Sequence, residues 1–156
     1  MKSMYIKNLK RKKFIIIPIL IILFINIIWV SFIIFKYNKF IENIPKHKHG
    51  SNFISKDGYT YGVKRPDYLQ LTGNLYITKE GSRDSLLIWP LPLGGGEYGV
   101  IISDEENGIA QQIYVDENMQ AIKKDNTLHV KLIEENKDAI EEIFLRANKM
   151  WDLDDK

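Results

Sequence analysis

Ser85 next to Asp84, with His129 elsewhere in the chain, supplies the residue types of a hydrolytic nucleophile and its base, and Glu97 adds a carboxylate. Such chemistry needs its groups within hydrogen-bond reach of one another, and no Gly-x-Ser-x-Gly elbow surrounds Ser85. His129, between Leu128 and Val130, reads as an exposed strand residue. The glycines of Pro90-Leu91-Pro92-Leu93-Gly94-Gly95-Gly96-Glu97 invite comparison with a phosphate loop, but they lead into a strand rather than a helix N-terminus, and no Lys-Ser/Thr pair follows. They read as a connection with Trp89 and Glu97 at its ends, able to cap a ligand or partner. Asp104-Glu105-Glu106 lacks the alternating ligand spacing of a calcium loop and reads as a turn. His47-x-His49, in a Lys-rich spacer, does not close a metal site. No catalytic residue, metal or cofactor is assigned from these patterns.

A binding signal is clearer. Along residues 68–78, Tyr68, Gln70, Thr72, Asn74, Tyr76 and Thr78 alternate with Leu69, Leu71, Gly73, Leu75 and Ile77. Period-2 alternation predicts a half-buried antiparallel strand whose polar face mixes tyrosine rings with hydrogen-bonding groups, a mixture that interfaces favour. The candidate binding residues are Tyr68, Gln70, Asn74, Tyr76, Trp89 and Glu97. Gly73, on the apolar side, predicts a bulge or a close approach by another segment.

These residues need a scaffold, and the patterning predicts an α+β one. Residues 86–89 form a continuous apolar run, expected to be a strand covered on both faces. Further strands are predicted at 98–103, 109–115 and 128–133, with a short piece at 121–122 and an Asn-Gly hairpin turn within 104–108. At the C-terminus, Ile140, Ile143, Phe144, Ala147, Met150 and Trp151 recur every three or four residues opposite Glu141, Glu142, Arg146 and Lys149, which predicts an amphipathic helix lying on an antiparallel meander.

The N-terminal third follows another logic. Residues 14–35 carry no charge, and Ile fills 11 of these 22 positions. A helix of that length spans roughly 33 Å, enough for a hydrocarbon core of about 30 Å. A cleaved signal has a shorter core ending at small residues. This run ends in Trp29-Val30-Ser31-Phe32-Ile33-Ile34-Phe35, and the chain has no cysteine for lipoprotein processing, so it reads as an uncleaved transmembrane helix. Six Lys/Arg precede it without an acidic residue, whereas residues 36–50 carry four Lys and one Glu. The asymmetry places the N-terminus in the cytoplasm and the rest outside the membrane. Tyr37 and Phe40 are expected in an interfacial aromatic belt, with helix continuing to Ile44 before Pro45 stops it. The expected organisation is a basic tail over 1–13, the span over 14–35, a juxtamembrane spacer over 36–52 and one extracytoplasmic domain over 53–156.

The net charge of +2 averages two opposed regions: residues 1–49 hold ten Lys/Arg and one Glu, residues 50–156 twelve Lys/Arg and nineteen Asp/Glu. An acidic folded part argues against nucleic acid as a partner, and the basic tail suits anionic lipid headgroups. The abundance of Ile, Lys and Asn suits a bacterium with an AT-rich genome, hence a bacterial cell envelope. The expectation is a membrane-anchored module binding an envelope protein or cationic peptide, of immunity or accessory type. A small-ligand or carbohydrate sensor is the alternative, and an envelope hydrolase a more distant one.

Overall fold

The structure, a computed structural model, describes residues 2–42, 44, 52–104, 109–123 and 126–153, with residues 2–13 and 104 as backbone only. The element order is α1 (Lys2–Ile41), β1 (Asn52–Lys56), β2 (Tyr59–Lys64), β3 (Asn74–Lys79), β4 (Ser85–Pro90), β5 (Gly96–Asp104), β6 (Ile109–Val115), α2 (Thr127–Glu135) and α3 (Lys137–Trp151). Two compact units divide the chain, Met1–Lys36 and Tyr37–Lys156.

The first unit lies within α1. The stretch Phe14–Ile41 is long and apolar enough to cross a membrane, a property that a signal sequence near an N-terminus shares. Apolar side chains stand exposed all around it, from Phe14 through Ile19, Phe24 and Ile27 to Phe35. Asn26, the amide in mid-run, donates from Nδ2 to the Ile22 carbonyl at 2.7 Å, so its own helix supplies a polar partner.

The second unit is built on an open six-stranded sheet in the order β1-β2-β3-β4-β5-β6, antiparallel throughout. Each strand pairs with its neighbour in sequence, so the predicted meander is observed. Its inner face carries aligned rows: Val63, Leu75, Ile88, Tyr98 and Val115 in one, Tyr61, Ile77, Leu86, Val100 and Ile113 in the next. Apart from the half-buried Tyr98, all of these are at most 5% exposed. Helix α3 covers this face with Ile140, Ile143, Ala147 and Trp151. Trp151 meets Tyr61 edge-on at 6.0 Å between ring centroids, and Phe144 meets Tyr98 at 5.7 Å, geometries that suit the ring quadrupoles. The helical periodicity seen in the sequence thus matches the contacts.

Several expectations need correction. Only 74–79 of the predicted 68–78 strand is β3; residues 68 and 69 form a turn, Leu69 has φ of 63°, and Tyr68, Leu69 and Leu71 are exposed. Alternation fails there because β2 ends at Lys64, so among the described residues no partner strand lies beside 68–73. The 86–89 run is not covered on both faces: in β4 Leu86, Ile88 and Pro90 are buried while Ser85, Leu87 and Trp89 are half-buried. A continuous apolar run here means apolar residues on both faces, the inner one buried and the outer one half-buried.

Residues 128–133 are helix, not strand. Asn126 caps α2 by accepting from the His129 amide at 3.2 Å, and the buried pair is the adjacent Leu132 and Ile133, which a strand would send to opposite faces. His129 is therefore a first-turn helix residue. Helix α1 stops at Ile41 rather than Ile44. Tyr37 and Phe40 do not form an exposed belt, being 0% and 5% exposed; the Phe40 carbonyl accepts from Trp151 Nε1 at 3.2 Å, and the Tyr37 hydroxyl accepts from the Gly73 amide. The β1–β2 hairpin was not anticipated as a pair of strands, although Asp57 and Gly58, with φ of 54° and 77°, are the Asp-Gly signal of a two-residue turn. The spacer histidines and the turn at 105–108 lie outside the described residues.

One surface cluster ties α3 to β2. Arg146 donates to Glu142 Oε1 from Nη2 at 2.9 Å and lies 4.2 Å from the Tyr59 ring centroid. The bond from Arg146, and a second from Tyr59, hold the Glu142 carboxyl below its ordinary value of 4.5. A depressed folded-state value means that this stabilisation is complete above the unfolded carboxylate range and is lost as pH falls through the folded value. Comparing denaturation of the natural chain and Glu142→Gln should give a difference at pH 7 that closes on acidification below about pH 4; a difference that grows in acid would refute this.

Candidate functional site

The outer face of the sheet holds the candidate residues, and glycines shape it. Phe53, Gly62, Tyr76, Leu87, Gly99 and Tyr114 align across all six strands. The Tyr76 ring lies over Gly62, in the space a side chain there would occupy. Trp89 lies over Gly99, where an added Cβ would sit 2.9 Å from its ring. From there the indole reaches Tyr114, at 5.6 Å between centroids and an interplanar angle of 31°. Two glycines thus let large rings lie flat along the sheet, producing a broad aromatic surface whose outermost ring, Tyr114, is 50% exposed.

Polar groups frame the rings. Beside them runs a hydroxyl row, with Ser55 and Thr60 2.9 Å apart and Thr78 and Ser85 also 2.9 Å apart. At the opposite margin the loop 65–73 folds against the start of β3 and leaves a cavity of about 270 Å³. Lys64, Arg65, Gln70, Thr72, Asn74 and Trp89 are among its lining. Asn74 Oδ1 is buried without a hydrogen-bond partner, and Arg65 donates to Asn38 Oδ1 at 3.2 Å. Burial raises the Tyr76 phenol above its ordinary value, so it remains a neutral donor and acceptor at physiological pH.

Gln70, Asn74 and Trp89 line one cavity, Tyr76 belongs to the aromatic row, Glu97 pairs with Trp89 across β4 and β5, and Tyr68 is exposed on the loop at 64%. The residues that sequence reasoning missed are Phe53, Tyr114, Gly62 and Gly99. Tyr114 was within reach, because Ile113, Tyr114 and Val115 form an apolar run like that of β4; the glycines carried no sign of which ring would cover them.

The hydrolase inventory is differently placed. Asp84 accepts from Ser82 Oγ at 2.7 Å and from the Ser103 amide at 3.0 Å, fastening the β3–β4 turn to β5. Ser85 belongs to the hydroxyl row and His129 to α2. Among the described residues, no group of three or more His, Asp or Glu could hold a metal ion. No protein-family model matches the chain, and no curated protein or solved structure matches it.

Proposed function

We propose that this chain is a single-pass membrane protein of the cell envelope, with its N-terminus in the cytoplasm and Tyr37–Lys156 outside as a binding module whose outer sheet face takes a protein or peptide partner. The observation that carries the reading is the glycine-backed aromatic surface of Tyr76, Trp89 and Tyr114, on the face opposite the Tyr61 and Tyr98 rings that α3 packs against. Rigid aromatic area bordered by hydroxyl and amide groups is the composition of interface cores. The anchored part rests on a helix apolar around its whole circumference with none of its hydrophobic window buried, a pattern that suits lipid rather than water. Orientation rests on the surplus of Lys/Arg before residue 14.

Crosslinking the full-length chain in native membranes tests this. Trp89→Ala and Tyr76→Ala should each lower capture of a reproducible partner by about 30-fold or more, the level of a hot-spot truncation, while Glu80→Ala at the opposite end of β3 leaves it unchanged. Capture should also weaken with added salt, because residues 50–156 carry seven more acidic than basic groups. Undiminished capture by both aromatic variants would remove this face as the binding surface.

The cavity beside Trp89 supports a second reading, a small polar ligand such as a sugar stacked on the indole with Gln70, Asn74 and Arg65 around it. Ligand-induced stabilisation lost in Trp89→Ala and Asn74→Ala, without partner capture, would favour it.

A further inference from the structure

The two ends of the sheet differ in chemistry. At one end the turns are polar: Asp57-Gly58 joins β1 to β2, and Glu80-Gly81-Ser82-Arg83-Asp84 joins β3 to β4. At the other end, the loop 65–73 follows the Lys64↔Asn74 pair and the loop 91–95 follows the Pro90↔Gly96 pair. These loops are neighbours, since Gln70 and Thr72 of the first line one cavity with Trp89 at the root of the second. Both present leucines to solvent: Leu69 is 57% exposed, Leu71 53% and Leu93 101%. Leu69 is held in the left-handed region, a conformation that leucine adopts only when its surroundings impose it. Three exposed leucines on adjacent loops of an otherwise acidic domain ask for an apolar neighbour.

Chain connectivity says what that neighbour is. The loop 65–73 is bonded at two points to the first residues of the second unit: the Gly73 amide donates to the Tyr37 hydroxyl, and Arg65 Nη2 donates to Asn38 Oδ1. Tyr37 follows the apolar run, which ends at Phe35, by two residues. The leucine-bearing loop is therefore fastened to the chain at the place where, on the anchored reading proposed above, it leaves the bilayer. Lys36 and Lys39 flank that point in sequence, Arg65 bonds to Asn38 beside it, and the exposed Lys64, 3.7 Å from Asp67, precedes Arg65; cations of this kind favour lipid phosphate groups.

We infer that the loops 65–73 and 91–95 form a second, reversible membrane contact, in which Leu69, Leu71 and Leu93 enter the interfacial layer of the bilayer while Lys64 and Arg65 meet lipid phosphates. The contact limits rotation of the module about its anchor and holds the Trp89 end of the outer face at the lipid surface, so a partner is engaged beside the membrane. This inference rests on the anchored reading.

The chain has no cysteine, so single-cysteine variants test it directly. Full-length Leu71→Cys, Leu93→Cys, Glu80→Cys and Ile22→Cys are labelled with an environment-sensitive fluorophore and reconstituted in phosphatidylcholine–phosphatidylglycerol vesicles. Quenching is then measured with lipids brominated at shallow chain positions for labels 71, 93 and 80, and with lipids brominated near the chain ends for the label at 22, which lies close to mid-span. Labels at 71 and 93 should be quenched about twofold or more, as expected for insertion to roughly 5–10 Å, and the label at 80 should not respond. If 71 and 93 behave like 80 while 22 is quenched, the loop contact is refuted and the anchor survives. Absence of quenching at 22 would overturn the anchor and this inference together.

Discussion

Replacing Trp151 by alanine is expected to cost the second unit about 3–5 kcal/mol of stability, the range for removing a large buried aromatic side chain. Trp151 is 6% exposed and closes the core where α3 meets β2 and the end of α1. Its ring packs edge-on against Tyr61, and its Nε1 donates to the Phe40 carbonyl. That carbonyl lies in the last turn of α1, where backbone acceptors have no partner within the helix. One side chain thus fills volume, supplies a ring contact and satisfies an orphaned acceptor. Trp151→Phe keeps most of the volume and loses the donor, so a smaller cost of about 1–2 kcal/mol is expected. Urea titration of the full chain in detergent, followed by circular dichroism, measures both. A cost for Trp151→Ala below about 1 kcal/mol, the level of an ordinary surface change, would contradict this packing.

Gly73→Ala is expected to destabilise by about 2–3 kcal/mol, at the upper end of overpacking costs, because the obstructing atoms belong to the backbone and cannot rotate away. A Cβ at this position would collide with the Lys64 carbonyl oxygen and lie 2.7 Å from the Pro66 nitrogen. Relief requires the loop 65–73 to move off the end of β2, breaking the bond from the Gly73 amide to Tyr37 and reshaping the cavity that holds Gln70 and Asn74. The variant should therefore lose partner or ligand binding along with stability. Gly96→Ala serves as the comparison: its added Cβ would meet Ile88 Cγ2 at 3.5 Å, an ordinary contact, and its effect should stay within about 0.5 kcal/mol. Equal effects at the two glycines would mean that the loop does not lie against β2 as described.

Gly73 also shows how far local sequence reasoning reaches. Its place on the apolar side of an alternating run predicts a close approach, which the structure contains, but the approaching segment is the end of β2 rather than a neighbouring strand in a longer sheet. The same run misled about 68–73, since a period-2 pattern reports which side chains could share a face and not whether a partner strand exists to define that face. Residues 128–133 failed for a related reason: Leu128, Val130 and Leu132 alternate, but the Asn126 cap and the buried neighbours Leu132 and Ile133 suit a helix. Short apolar stretches carry both periods, and tertiary contact decides between them.

What the sequence determined by itself are the features set by local composition and period: a charge-free helical stretch long enough for a bilayer, an acidic C-terminal region, the consecutive strands β3 to β6 in outline and an amphipathic helix whose apolar stripe covers them. Each follows from side-chain chemistry repeated along the chain, which needs no distant partner to be read. Only the tertiary structure decided that Trp89 and Tyr76 lie over Gly99 and Gly62, that Gln70 and Asn74 share a cavity with Trp89, and that Tyr37 is tied to the loop at Gly73. These depend on strand register and on where loops fold back, quantities fixed by contacts between residues far apart in the chain, and a glycine carries no mark of the ring that will lie upon it.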